Sequence, residues 1–213
     1  MTYAIIGSGA IGRAIATQFA RQGIEVLVSN SRGPASLTNL TREIGLSVRA
    51  GSMQEAAAAD VVFLAVPFTA VVDGLGFETG WNARIVVDAT NAIDFPAFTP
   101  KNLGGRPSTE IVADAIQGAR VVKAFNTLPA AVLASDPASE GGRRVVFLSG
   151  NDRQANLEIA KLIERLGFAA IDLGLLSEGG RLQQFGGPLV SQNLIRHAAS
   201  TEPKMARNSA LPA

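Results

Sequence analysis

The chain has 213 residues, of which 47% are hydrophobic and 17% charged, a composition typical of a folded globular protein and unlike that of a disordered one. The formal net charge is only +1, so the sequence offers no overall field for nucleic acid or for an anionic membrane. The chain has no cysteine and a single histidine, which excludes disulfides and thiolate catalysis and argues against a bound metal.

The first predicted strand, at residues 3–6, runs directly into a glycine-rich turn, and a helical pattern follows at 10–22. A strand, such a turn and a helix in this order form the dinucleotide-binding fingerprint. Gly7 permits the tight turn, Gly9 leaves room for a pyrophosphate, and Gly12 lets the helix pack close to the strand. Because a helix N-terminus also attracts anions, the whole turn is predicted to bind the cofactor: Gly7, Ser8, Gly9, Ala10, Ile11 and Gly12.

Strands and helices alternate through the rest of the first half. Strands are predicted at 25–28, 46–49, 61–66, 84–88 and 121–125, and helices at 34–44, 52–59, 68–75 and 108–116. Ser52 and Glu55 have the spacing of a capping box, and Ser108 is predicted to cap its helix. Residues 90–107 are rich in proline and glycine and are predicted to form a loop.

The second half begins with a proline- and glycine-rich linker at 135–142. Strands are predicted at 144–148 and 168–172 and helices at 152–166 and 188–199. The whole order predicts an α/β protein with a Rossmann doubly wound parallel sheet and a small C-terminal α+β segment. We expect a dinucleotide-binding domain at 1–134, a substrate or dimerisation segment at 143–199, and a disordered tail at 200–213.

The end of the second predicted strand indicates which dinucleotide is bound. NAD enzymes usually place an acidic residue there, where it bonds the ribose 2′-hydroxyl. This chain has four residues with hydroxyl, amide and guanidinium donors instead, namely Ser29, Asn30, Ser31 and Arg32. Such donors suit a 2′-phosphate, so domain 1–134 is predicted to bind NADP(H). The alternative is a solvated turn with an incidental arginine.

Other predicted contacts follow from the rule that doubly wound sheets bind ligands beyond the carboxyl ends of their strands. Ala65, Val66 and Pro67 follow the fourth strand and would form a wall beside the adenosine or ribose, unless Pro67 simply opens the next helix. Asn91 follows the fifth strand and could bond the nicotinamide ribose or carboxamide. Asp88, beside it, is expected to tie down a loop.

The strand at 121–125 leads into a second polar segment. Asn126 and Thr127 are predicted to position the nicotinamide or a second substrate, and no firmer catalytic residue is assigned. The substrate side would also include Leu128 and Pro129. Lys123 is unusual in an apolar strand. It could act in catalysis or bind an anion, or it could instead extend its ammonium group to solvent or form a structural ion pair.

Six stretches together resemble the NADPH-dependent deazaflavin reductases, the NADP oxidoreductases that use coenzyme F420: 5–12, 29–32, 64–67, 88–91, 122–129 and 186–189. The resemblance implies a homodimer in which NADP crosses the glycine turn and a deazaflavin ring stacks on the nicotinamide. Gly186, Gly187 and Pro188 would then line the pocket of the second substrate, or else form a simple helix-entry turn. Members that reduce deazaflavin often carry His at the position of Asn126, and the Asn form also occurs in ferric-reductase domains, so the acceptor stays open.

These observations predict an enzyme, an NADP-dependent oxidoreductase that passes hydride between NADP(H) and coenzyme F420 or a similar planar acceptor. Such chemistry needs proximity and orientation more than acid–base residues. An imine, ketone, ferric or flavin reductase on the same fold and a non-catalytic NADP-binding redox sensor are the alternatives. The sequence has no leader pattern and no uncharged apolar run of ~18 residues, so we expect a cytoplasmic protein that binds neither membrane nor nucleic acid.

Overall fold

The computed structural model describes residues 1–75 and 80–198. The strands are β1 Tyr3–Ile6, β2 Val26–Ser29, β3 Val48–Ala50, β4 Val61–Leu64, β5 Ile85–Asp88, β6 Ile93–Asp94, β7 Thr99–Pro100, β8 Arg120–Ala124, β9 Ala138–Ser139, β10 Gly142–Gly150, β11 Ala169–Asp172 and β12 Ile195–Arg196. The helices are α1 Ala10–Arg21, α2 Thr38–Ile44, α3 Met53–Ala57, α4 Phe68–Val72, α5 Ser108–Ala115, α6 Ala130–Ala134, α7 Arg153–Arg165 and α8 Gly179–Gln183, and a 3₁₀ turn at Pro34–Leu37 precedes α2.

A single large sheet organises the molecule, with strand order β3-β2-β1-β4-β5-β8-β10-β11. Every neighbouring pair in this row is parallel except β8 and β10, which are antiparallel. The predicted Rossmann architecture is confirmed. The order reverses between β1 and β4, which is where doubly wound sheets bind their ligands. The C-terminal strands β10 and β11 continue the same sheet.

Apolar side chains cover both faces of the sheet, as a parallel sheet enclosed by helices requires. On the face covered by α1, α2, α6 and α7, a row of aromatic rings crosses the strands in tilted or edge-to-face contacts. The ring centroids lie 5.2 to 6.5 Å apart along this row, which runs through Tyr3, Phe19, Phe63, Phe125 and Phe168. The strands that carry the site are therefore fixed by the core.

Two helix predictions differ from the structure. Ser108 does not cap its helix, because Pro107 occupies the cap position and Ser108 is the first helical residue. The helix expected at 188–199 is wrong for the described residues 188–198, which form turns and the short strand β12. This strand pairs with the long strand β10, whose first residues extend beyond β8 and offer a free edge. The tail predicted at 200–213 lies outside the described residues.

The predicted loop at 90–107 also contains structure, since β6 and β7 pair as a short antiparallel hairpin. In contrast, the predicted capping box is confirmed. The Ser52 hydroxyl accepts from the Glu55 N–H, and the Glu55 carboxylate accepts from the Ser52 N–H. These bonds lower the pKa of the Glu55 carboxyl.

Glu164 on α7 joins three strands at the C-terminal edge of the sheet. Its carboxylate accepts hydrogen bonds from the Ala170 N–H at 3.1 Å, from the Arg196 guanidinium at 2.9 Å and from the Arg143 guanidinium. Burial by itself would raise the pKa of Glu164, but the Ala170 N–H and the two guanidinium groups outweigh burial and lower that pKa.

Glu164→Gln is expected to reduce the free energy of unfolding at neutral pH by about 1 kcal/mol, the scale of a partly exposed ion pair. A carboxyl with a lowered folded-state pKa stabilises the fold above its unfolded-state pKa of about 4.3, and this contribution is lost as the pH falls through the folded-state pKa. Urea denaturation of both proteins should therefore show a stability gap that closes on acidification. A gap that stays constant with pH would contradict the assignment.

Candidate functional site

The glycine turn after β1 has the geometry that its sequence predicts. Gly7 has φ +119°, and a Cβ there would lie 2.2 Å from the carbonyl oxygen of Ala65. A Cβ on Gly12 would lie 2.0 Å from the carbonyl oxygen of Gly7. Around Gly9, in contrast, a Cβ would meet nothing within 4 Å, and no side chain caps the N-terminus of α1. The turn is thus tight where it packs and open where an anion can approach the helix.

The polar turn after β2 lies beside this glycine turn. The Asn30 amide donates to the Ser8 hydroxyl at 2.9 Å, and its oxygen accepts from the Arg32 N–H at 2.9 Å and from the Ser36 hydroxyl at 3.1 Å. Asn30 therefore shapes the turn and ties it to the glycine turn. Ser31 and Arg32 are exposed, and the Arg32 guanidinium makes no ion pair with any described residue.

Ser29 belongs to the predicted cofactor set, but its side chain lies in the core. It is the last residue of β2 and is fully buried, with its hydroxyl 3.5 Å from the Ile5 carbonyl oxygen and 3.6 Å from the Met53 sulfur. Its side chain does not line the cleft between the two turns. The donors available to a 2′-phosphate are therefore those of Ser31 and Arg32.

The two turns border an open cleft of about 480 Å³, and Ala65, Val66 and Pro67 form its opposite wall. This volume falls within the ~300–1,000 Å³ of typical small-molecule sites. Three features of the cleft fit the adenosine and phosphate half of NADP. They are the open space at Gly9, the uncapped N-terminus of α1, and the Arg32 guanidinium, which has no ion pair among the described residues. Sequence reasoning missed part of the lining, which comes from α3, α4 and the chain after α4: Met53, Ala70, Gly74 and Leu75.

The ends of β5 and β8 carry a pair of asparagines joined by two hydrogen bonds. The Asn91 amide donates to the Asn126 carbonyl at 2.9 Å, and the Asn126 amide donates to Asn91 Oδ1 at 3.0 Å. The Asn126 amide also donates to the Gln183 carbonyl at 2.7 Å, which leaves its own Oδ1 without a partner among the described residues. Phe125 directly before it has φ +63°, a conformation that non-glycine residues adopt mainly where function or packing requires it.

Lys123 and Asp88 form an ion pair inside the sheet. Both side chains are 0% exposed, with 3.0 Å between Nζ and Oδ2. Nζ also donates to the Thr90 carbonyl at 3.1 Å, and Asp88 Oδ1 accepts from the N–H and hydroxyl of Thr90. The lysine is thus held by its carboxylate partner rather than directed toward a ligand. Together the pair fixes the loop that carries Asn91.

Helix α8 is attached to the sheet through Gln183, a residue that sequence reasoning missed. Its side chain is fully buried, accepts from the Ser149 hydroxyl at 2.7 Å and donates to the carbonyls of Lys123 and Phe147. No periodic signal marks so short a helix, and its partners are remote in the chain. The sequence signal that could have identified Gln183 is the polar pair Gln183 and Gln184 within a glycine-rich stretch.

The predicted substrate residues serve mainly as packing elements. A Cβ on Gly186, which has φ +86°, would lie 2.4 Å from Pro100, so this glycine packs against the β6–β7 hairpin. Thr127 and Leu128 are buried, and the Thr127 carbonyl accepts from the Ser191 N–H at 2.7 Å. The two exposed prolines, Pro129 and Pro188, and the closely packed Gly187 do not line the cleft.

Within residues 1–75 and 80–198, no three His, Asp or Glu side chains come together as metal ligands, and His197 is exposed. None of the helices in these ranges has the length and apolarity needed to cross a bilayer.

A family model described as NADP oxidoreductase, coenzyme F420-dependent, matches residues 2–92. A hypothetical protein from Sinorhizobium meliloti is 56% identical, with a TM-score of 0.89 over 92% of this chain and 96% of its own. A protein from Arthrobacter sp. FB24 that was proposed to be an F420-dependent NADP reductase is 30% identical, with a TM-score of 0.70 over 83% of this chain and 86% of its own.

A more distant similarity extends to larger proteins. Metalloreductase STEAP3 of Rattus norvegicus is 27% identical over 181 residues, which are 84% of this chain and 35% of the metalloreductase. The chain thus spans about a third of the length of the curated relatives it matches.

Proposed function

This chain belongs to the family of coenzyme F420-dependent NADP oxidoreductases, and we propose that it transfers a hydride between NADP(H) and a deazaflavin or a similar planar acceptor. The observation that carries this proposal is the cleft in which the glycine turn faces the unpaired guanidinium of Arg32. One end of the cleft suits a pyrophosphate and a 2′-phosphate.

The two asparagines are proposed to hold the other half of the cofactor. The Asn126 amide group is oriented by two acceptors, so its buried oxygen, which has no partner among the described residues, is held as an acceptor of fixed direction. The proposal is that this oxygen receives a donor from the nicotinamide carboxamide or ribose, and that Asn91 supports it from the loop after β5. NADPH supplies the hydride when bound. The protein orients the two rings and excludes water, which suits a site with no acid–base pair at its centre.

A flavin or ferric acceptor is the second candidate, because the similarity to STEAP3 covers most of this chain. The test is NADPH oxidation with coenzyme F420, FMN, ferric citrate and a cyclic imine as acceptors. Turnover of coenzyme F420 well above the others would support the proposal, and preferential turnover of FMN or ferric citrate would support the second candidate. NADPH binding without turnover of any acceptor would overturn both and indicate a sensor.

We also propose that the protein acts as a homodimer in the cytoplasm. Four leucines of the C-terminal segment expose more than a third of their surface, and such side chains are common where subunits meet; they are Leu157, Leu175, Leu182 and Leu194. Light scattering on the purified protein would measure the oligomeric state, and a monomer at micromolar concentration would contradict the proposal.

Arg32→Ala is expected to weaken NADPH binding by about 1.5–3 kcal/mol, the scale of a charge-assisted hydrogen bond to phosphate. NADH lacks the 2′-phosphate, so its binding should hardly change. The matched control is Arg153→Ala, which removes an exposed arginine at the start of α7. Calorimetric titration with both cofactors measures the effect, and equal losses for NADPH and NADH would refute the assignment of Arg32.

A further inference from the structure

A second cavity, of about 220 Å³, lies between the chain that follows the β6–β7 hairpin and helix α8, and we call it the hairpin cavity. Its lining includes Ala92, which follows Asn91 in the chain, and Gln184, which follows Gln183. The Asn126 amide donates to the Gln183 carbonyl. We take the hairpin cavity to lie beside the place proposed for the nicotinamide, because two of its lining residues directly follow Asn91 and Gln183 in the chain.

The lining of the hairpin cavity contains three cationic side chains, Lys101, Arg106 and Arg181, and no acidic one. Two of these cations already have carboxylate partners, since Lys101 pairs with Asp94 at 2.9 Å and Arg106 with Asp114 at 2.7 Å. Their charges are largely compensated.

Arg181 differs from these two cations in its partners. Its guanidinium donates to the carbonyls of Gly105, at 2.8 Å, and Ser177, at 3.0 Å, and pairs with no carboxylate among the described residues. Neutral carbonyls fix the position of a guanidinium without cancelling its charge. Arg181 is thus a pre-oriented cation that lacks an anion.

An unpaired hydroxyl stands at the same cavity. Ser108, the first residue of α5, lines the cavity and is only 1% exposed, and its Oγ has no hydrogen-bond partner in the described part of the chain. The Ser108 N–H already donates to Gln184 at 3.1 Å. The N-terminus of α5 adds partial positive charge to this part of the lining, which favours an anionic ligand, and the buried Ser108 hydroxyl is a spare donor just below the lining.

Three phenylalanines, Phe185, Phe98 and Phe95, form an aromatic group that leads from the hairpin cavity to the surface. Phe185 lines the cavity and packs edge-to-face on Phe98 at 5.2 Å, and Phe98 packs on Phe95 at 5.8 Å. Phe95 is 73% exposed and Phe98 is 60% exposed. Exposed aromatic rings beside a site offer a surface for a planar ligand.

We infer that the hairpin cavity binds an anionic arm of the hydride acceptor, a phosphate or carboxylate held chiefly by Arg181, while the aromatic group flanks its planar part. The volume is below the ~300–1,000 Å³ of whole-ligand pockets, so it suits an arm and not the ring system. This inference rests on the proposed function and specifies the acceptor as a planar molecule with an anionic side chain.

The test compares two pairs of acceptors that differ in their anionic arm: FMN with riboflavin, and coenzyme F420 with its deazaflavin chromophore lacking the phosphate tail. Binding is measured by fluorescence titration with NADP⁺ present, so that no turnover occurs. In at least one pair, the member that carries the anionic arm should bind about tenfold more tightly than the member that lacks it, and added salt should reduce this advantage.

Arg181→Gln should bring the ratio within each such pair close to one, whereas Arg181→Lys should keep part of the advantage. The affinity for NADP⁺ should stay unchanged in both variants, which shows that the fold is intact, and Arg153→Gln serves as the matched surface control. Equal binding of both members of each pair by the wild type would overturn the inference, as would an unchanged ratio in Arg181→Gln.

Turnover tests the proposed hydride transfer, and binding in the wild type and the Arg181 variants tests the hairpin cavity. Turnover with equal KM for the two members of each pair would support hydride transfer and overturn the anionic arm. Binding of the anionic member through Arg181 without any turnover would support the hairpin cavity and overturn hydride transfer to that acceptor. Absence of binding by all four compounds would overturn the inference.

Discussion

Lys123→Met is expected to lower the free energy of unfolding by about 3–5 kcal/mol, because it leaves the Asp88 carboxylate buried without its counter-charge. Both side chains are 0% exposed, and no described cation other than Lys123 pairs with Asp88. Methionine fills a similar volume, so the loss reflects the charge and not a cavity. Replacing both partners with apolar residues, as in Lys123→Met with Asp88→Leu, should recover part of the loss.

The matched control is Lys101→Met, which breaks an ion pair at 2.9 Å whose two side chains are 37% and 46% exposed. An ion pair of this exposure contributes about 1 kcal/mol or less, so the same substitution should have a small effect there. Guanidinium denaturation followed by the fluorescence of Trp81, the single tryptophan, measures both variants. Similar losses for the two lysines would contradict the assigned role of burial.

Gly12→Ala is expected to destabilise the protein by about 3 kcal/mol and to abolish measurable NADPH binding. The added Cβ would lie 2.0 Å from the carbonyl oxygen of Gly7 and 2.9 Å from its carbon, so no change of side-chain rotamer can relieve the clash. Helix α1 must then move away from the turn, which costs overpacking energy and displaces the N–H groups that are proposed to receive the pyrophosphate.

Gly9→Ala is the control that separates binding from folding. A Cβ at Gly9 meets nothing within 4 Å, and its φ of −74° suits alanine, so stability should fall by less than about 1 kcal/mol. NADPH binding should nevertheless weaken, because the methyl group would stand where the pyrophosphate is proposed to approach. Thermal unfolding and calorimetric titration of both variants give the two quantities. Normal NADPH affinity in Gly9→Ala would contradict the predicted path of the cofactor.

The glycine turn was predictable because its determinants are local. Gly7, Gly9 and Gly12 each respond to one steric condition of a strand–turn–helix unit, and those conditions can be inferred from neighbouring residues. The apolar strands and the parallel order could be predicted for the same reason, since continuous apolar runs indicate strands that are buried on both faces.

Ser29 shows how a small boundary error changes a site. The second strand was predicted to end at residue 28, and it ends at Ser29. Because successive strand side chains point to opposite faces, one additional strand residue decides whether a side chain faces the cleft or the core. The local pattern of hydrophobic residues cannot resolve a boundary to this precision.

The hairpin cavity and strand β12 depend on contacts between distant parts of the chain. Arg181 meets the carbonyl of Gly105 across 76 positions, and β12 is extended only because the free edge of β10 is available to it. Lys123 could be recognised as unusual in the sequence, but its partner was settled only by the pairing of β5 with β8, which places Asp88 opposite it.

The buried pair of Lys123 and Asp88 also restricts how this sequence can diverge. Domains have net stabilities of about 5–15 kcal/mol, so losing either partner alone would use a large part of that margin. A pair of apolar residues could occupy both positions at little cost, but every single-substitution path to it passes through a charged group left alone in the core. Two acceptable sequences are therefore separated by a barrier, and a lineage that holds one of them tends to keep it irrespective of any benefit from the other.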